Sequence, residues 1–165
     1  MTAEPRQVIK QNLEIARRIL FIFEIKRRLD ELPPIFGGIL SEIRRTLSSR
    51  VDDIKVASLP LVLVFVASCL ENYLKEITPA KKELSFKRLI EHWRSRIGDK
   101  LARDAHELRI KRNLILHNAG LIDEVASNEF KEIGLTMYQI GSRLILSEDE
   151  VRRHIDTCER ICSLI

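Results

Sequence analysis

Residues 60–77 read PLVLVFVASCLENYLKEI, and this stretch decides the fold. From Leu61 to Ala67 a helix built on it is apolar on every side, and only at Glu71, Tyr73 and Lys75 does the pattern become two-faced. A helix that is apolar all round has to be surrounded by others. The segment therefore predicts the central element of a helical bundle, running from Pro60 to Ile77 and closed by Thr78-Pro79. Its most apolar run, Leu59 to Leu70, is about a dozen residues, against the roughly 20 that a bilayer-crossing helix needs.

Working outward toward the amino terminus, Ile9, Leu13, Ala16, Leu20 and Phe23 recur at alternating steps of four and three. That spacing predicts one amphipathic helix from Pro5 to about Leu29, with Pro5 in the first turn where no amide donor is missed. Pro33-Pro34 and Gly37-Gly38 end it, and Ile39, Ile43 and Leu47 predict a shorter helix from about Gly38 to Ser48. Toward the carboxyl terminus, Ser85 is placed to cap a helix carrying Phe86, Leu89, Ile90, Trp93 and Ile97, which stops at Gly98. Asp99 is placed to cap the next, which runs to Asn118-Ala119-Gly120. A short helix is expected within 122–133. Ser147-Glu148-Asp149-Glu150 forms a capping box for a last helix striped by Val151, Ile155, Cys158, Cys162 and Ile165. The expectation is one all-α domain over 1–165, an up-and-down bundle of about five to seven helices, with a short extended or hairpin excursion near 135–146.

Composition bounds the function. The chain's 165 residues suffice for one buried core, and a 45% hydrophobic share with charges of both signs excludes a disordered chain. Lys and Arg number 28 against 24 Asp and Glu, for a net charge of +4. That permits a phosphate-bearing partner without requiring one. The start, Met-Thr-Ala-Glu-Pro-Arg-Gln, has no apolar run behind a basic region, so a cytoplasmic protein without a membrane anchor is expected. Cys69, Cys158 and Cys162 are an odd set, expected to be reduced. The latter two lie one turn apart on an apolar stripe, which predicts packing rather than half a metal site.

Most chemistries lack their residues. There is no Gly-rich loop ending in Gly-Lys-Ser/Thr and no His-Glu-x-x-His. The carboxylates of Asp52-Asp53 and of Glu148-Asp149-Glu150 are adjacent in sequence and diverge on a helix. No cofactor and no metal is called for. His92, beside Trp93, is expected to be packed or on the surface, and His154, after Arg152-Arg153, to be solvated. What remains is residues 107–118, where Arg109, Lys111 and Arg112 fall within four positions and His117 follows at the helix end. An imidazole that exchanges a proton near neutral pH, beside a guanidinium that neutralises phosphoryl oxygens, fits phosphodiester chemistry in which RNA supplies its own 2′-hydroxyl. His106, Arg109 and Lys111 are the expected RNA-binding residues. Arg112 and His117 nevertheless stand about 140° apart round a helix. They can meet only if the last turn loosens or if a second copy supplies the other residue.

The run Arg112-Asn113-Leu114-Ile115-Leu116-His117 resembles the signature of the HEPN superfamily, helical domains whose active members carry Arg, a polar residue, a short spacer and His. The likeness extends over 60–165, with Leu70-Glu71-Asn72-Tyr73-Leu74 and Leu146-Ser147-Glu148-Asp149-Glu150-Val151 similar to the flanking helices. Residues 1–55 have no counterpart. The resemblance implies a metal-independent endoribonuclease that leaves a 2′,3′-cyclic phosphate. Arg112 and His117 would be catalytic, Asn113 would orient them, and Glu71 and Asn118 would support them. It also implies a homodimer with its site between protomers, and a partner such as an antitoxin or another defence-system protein. The alternative is a non-catalytic helical module that binds a partner protein or nucleotide through the same face. A third possibility is a basic helical DNA binder, against which no short turn joins two helices with base-reading polar residues at the start of the second.

Overall fold

The computed structural model describes residues 4–30, 39–78 and 83–165. Six helices occur among them: α1 (Pro5–Asp30), α2 (Ile39–Glu76), α3 (Phe86–Ile97), α4 (Asp99–Asn118), α5 (Glu124–Glu132) and α6 (Glu148–Leu164). The fold is an all-α bundle. The predicted breaks at Pro33-Pro34 and Gly37-Gly38 lie outside the described residues.

α2 is the core element that its apolar stretch predicts, packing against α1, α3, α4 and α6. Leu63, Val66, Ala67 and Leu70 are completely buried. Ile9, Leu13, Ala16, Leu20 and Phe23 of α1 are all buried against it, as are Val151, Ile155, Cys158 and Cys162 of α6. The cysteines are thus core residues, and burial pushes the Cys69 thiol up to about 11 and Cys162 to about 12.

Two elements were expected where one helix forms. Residues 39–76 are continuous, and Pro60 lies inside α2 rather than at its start. A proline in a helix interior costs about 3 kcal/mol because it removes one backbone donor and crowds the preceding turn. The buried side chains on either side of it, Leu59, Val62 and Leu63, are each worth about 1.5–3 kcal/mol and offset that cost. Continuity also corrects the length argument: Ala57–Glu76 is long and apolar enough to cross a membrane, and half of it is buried inside the bundle.

Capping differs from expectation at two of three sites. Ser147 and Glu150 form the predicted box, with Ser147 Oγ accepting from the Glu150 amide at 3.1 Å. Ser85 holds the N-cap position of α3 without a side-chain hydrogen bond. The N-cap of α4 is Gly98, not Asp99, whose carboxylate accepts from Arg94 Nε at 2.7 Å instead. Gly98 has φ 84°, a left-handed value that glycine adopts without strain. Its amide closes α3 on the Arg94 carbonyl while its own carbonyl opens α4.

The excursion over 135–146 is mostly extended, turns once where the Ser142 amide donates to the Gln139 carbonyl at 3.2 Å, and forms no hairpin. It lies on the segment after α4: the Ile122 amide donates to Ser142, the Gly141 amide to Ile122 and the Leu144 amide to Gly120, with one bridge between Leu121 and Arg143. A second small core fastens this layer, built from Ile110, Leu114, Ile122, Ala126 and Phe130. Tyr138 stacks on Phe130 with ring centres 4.0 Å apart.

Candidate functional site

α4 carries the residues singled out above, and its end is set by the backbone. Ala119 adopts φ 48°, the left-handed conformation that terminates helices, and the Gly120 amide closes the turn on the Leu114 carbonyl at 2.9 Å. α4 stays regular through Asn118, so the last turn does not loosen and Arg112 and His117 keep their separation round the axis. His117 is exposed and has no hydrogen-bond partner among the described residues. Asn113 is half-buried on the same side of the helix.

Arg112 turns toward α2. Its Nη2 lies 3.1 Å from Glu71 Oε2, while Glu71 Oε1 accepts from Lys75 Nζ at 2.7 Å. Glu71 therefore pairs within its own helix and also reaches Arg112 across 41 residues of sequence. Arg112 Nε is buried without a hydrogen-bond partner. Asn118 plays a structural part: its side-chain amide donates to Asp123 at 2.5 Å, and Asp123 caps α5 by accepting from the Ala126 amide at 2.8 Å.

The expected RNA-binding residues need correction. Each step along a helix turns about 100°, so Arg109, Lys111 and Arg112 face three different neighbours. Lys111 is completely buried, its ammonium bonded to Glu107 and to Glu150 of α6. It cannot reach RNA from there. Those carboxylates hold the Lys111 amine above its usual range despite burial. Arg109 is buried against Glu129 of α5 at 2.9 Å. His106 is buried with Nε2 at 2.6 Å from Glu91 of α3, and burial outweighs that bond to lower its pKa. Each of the three clustered cations thus faces a carboxylate, and no exposed basic patch results from them.

His154 is also corrected: it is completely buried, and neither ring nitrogen has a hydrogen-bond partner. Burial, then the Lys111 charge, lowers its pKa to about 3. Its place was legible, since it falls four residues before Cys158 on the apolar side of α6. His154, Glu107 and Glu150 lie close enough to share one ion, the one such group among the described residues. The Lys111 ammonium already bonds both carboxylates, so a metal would have to displace it. His92 is exposed and meets Trp93 edge-on.

A residue set that the sequence reading missed lies beside this cluster. Lys87 of α3 and Lys100 and Arg103 of α4 join His106 and Arg109 around a charged cavity of about 500 Å³ between α3, α4 and α5. The signal was present as basic side chains every third residue at 100, 103, 106 and 109. A second cavity of similar size, mainly apolar, lies between Pro60, the end of α4 and residues 143–146. No family model, curated protein or solved structure matches the chain.

Proposed function

We propose that this chain is a metal-independent endoribonuclease of the kind its Arg112–His117 motif resembles, acting as a homodimer and serving as a toxin or anti-phage effector. The observation that carries the reading is the pairing of Glu71 with Arg112 at 3.1 Å, while His117 stands exposed and without a partner among the described residues one turn and a half further on. A carboxylate from α2 thus orients the guanidinium and leaves the imidazole free for a substrate. Because the two residues diverge within one chain, Arg112 of one protomer works with a partner's imidazole. Leu116 and Leu121, both about half exposed beside His117, supply apolar surface for that contact.

In the reaction, the imidazole of His117 takes the proton of a ribose 2′-hydroxyl, and the oxygen forms a bond to the adjacent phosphorus. Arg112 neutralises charge on the phosphoryl oxygens. The bond to the 5′-oxygen breaks, that oxygen is protonated, and the products are a 2′,3′-cyclic phosphate and a 5′-hydroxyl. The test is RNA cleavage in EDTA by the parent, His117→Ala and Arg112→Ala proteins. Each variant is expected to lose about 10²–10⁴ in rate with helicity unchanged. Undiminished cleavage by either would sink the reading.

A specific observation favours a second reading, a non-catalytic module. Arg109, Lys111 and Arg112 all face carboxylates, whereas Val125, Met137, Ile140 and Ile145 are exposed, a surface suited to a protein partner. A parent protein that leaves RNA intact and captures one defined partner would establish it.

A further inference from the structure

The cavity between α3, α4 and α5 is large enough for a small metabolite or a mononucleotide, and its wall is charged rather than apolar. On α4 the wall is a ladder of Lys100, Arg103, His106 and Arg109. Donors three residues apart stand about 4.5 Å further along the axis and about 60° back round it at each step, so the ladder winds across α4 and its long side chains reach the cavity from successive heights and directions.

The carboxylates in the wall are already engaged. Glu91 bonds His106 at 2.6 Å and Arg94 at 3.3 Å, and Asp99 accepts from Arg94 at 2.7 Å. Glu129 pairs with Arg109 at 2.9 Å and lies 3.6 Å from Lys87, which is 3.7 Å from Glu132. Lys100 and Arg103 are exposed and face no carboxylate among the described residues. Arg109 adds a second sign. It commits Nη2 to Glu129 and keeps Nε buried without an acceptor, a state that costs about 1–3 kcal/mol for a buried donor.

We propose that this cavity binds the phosphate group of a small phosphorylated ligand, held by Arg103 and Arg109 with Lys100 at the mouth. A phosphate monoester carries about −1.5 to −2 charge near neutral pH, which matches Lys100 and Arg103, the two wall cations that pair with no carboxylate among the described residues. Its tetrahedral oxygens accept from several directions, as donors at successive heights require, and guanidinium groups suit them by geometry. A carboxylate offers only two oxygens in one plane. The site is independent of the chemistry proposed at Arg112 and His117, neither of which lines it.

The experiment is an NMR titration of the full isotope-labelled chain with inorganic phosphate, pyrophosphate and AMP at constant ionic strength. Saturable shifts of the His106 ring and of the 100–109 amides are expected. An anion in the cavity should also move the His106 titration to higher pH, opposing the burial that lowers it. Arg103→Glu and Lys100→Glu, both at exposed positions, should each weaken binding about tenfold or more with the spectrum otherwise native. Arg109→Lys keeps the charge toward Glu129 and removes the buried Nε, and should weaken binding too. Shifts that never saturate, or equal affinity in all three variants, overturn the proposal. So does a 5′-phosphorylated oligoribonucleotide that binds here when the three small probes do not.

Discussion

At the scale of single residues, the most consequential position is the buried cluster of Lys111, Glu107, Glu150 and His154. Lys111 acts as a tethered cation between α4 and α6, so it belongs to the scaffold that joins those helices rather than to a nucleic-acid surface. His154 beside it is held neutral by burial and by the Lys111 charge, with Arg153 adding to the same effect and Glu107 opposing it. The unfolded chain takes up a proton at this imidazole near 6.5, the folded chain only near 3. Between those values the unfolded state carries the extra proton, so stability is intact above about 6.5 and declines as pH falls through the window. The slope approaches ~1.4 kcal/mol per pH unit. His154→Leu fills the same apolar position without a titrating group. Urea melts between pH 7 and 4 should give a flatter stability profile for that variant, and an unchanged slope would show that the imidazole is not the source. Arg112 and His117 were legible at this scale because a motif is local. The burial of Lys111 was not, because its carboxylate partner on α6 lies 39 residues away.

At the scale of elements, α2 poses the clearest question. A break before Pro60 and a continuous helix through it make different predictions, since proline is nearly free in a first turn and costs about 3 kcal/mol in an interior. Pro60→Ala restores a donor to the ladder of α2. Thermal unfolding should then show a rise of several degrees in Tm, given about 2–4 °C per kcal/mol for a chain of this size. A Tm within one degree of the parent (about 0.3 kcal/mol on the same scale) would put Pro60 at a helix start after all. The apolar stripes of α1 and α6 could be read residue by residue, because 3.6-residue periodicity is a property of the chain itself. The helix through Pro60 could not, since a local penalty was outweighed by burial against α1, α4 and α6, which no local pattern records.

At the scale of the whole molecule, the separation of Arg112 from His117 makes the quaternary arrangement testable. If Arg112 of one protomer serves His117 of the other, mixing the inactive Arg112→Ala and His117→Ala chains rebuilds one intact site in each mixed dimer. Random pairing should then restore about a quarter of parental RNA cleavage. A site contained within one chain would leave the mixture inactive, and that result would remove the dimeric arrangement while leaving single-variant losses unexplained by it. The sequence by itself determined the all-α class, the core faces of α1, α2 and α6 and the motif at the end of α4, because apolar spacing and end signals act over a few residues. The tertiary structure alone decided which charges remain available. Arg109, Lys111 and Arg112 are engaged by Glu129, Glu150 and Glu71, while Lys100 and Arg103 stay open at a cavity between three helices. The physical reason is that a charge's fate depends on what lies opposite it within a few ångströms, and that neighbour comes from distant parts of the chain.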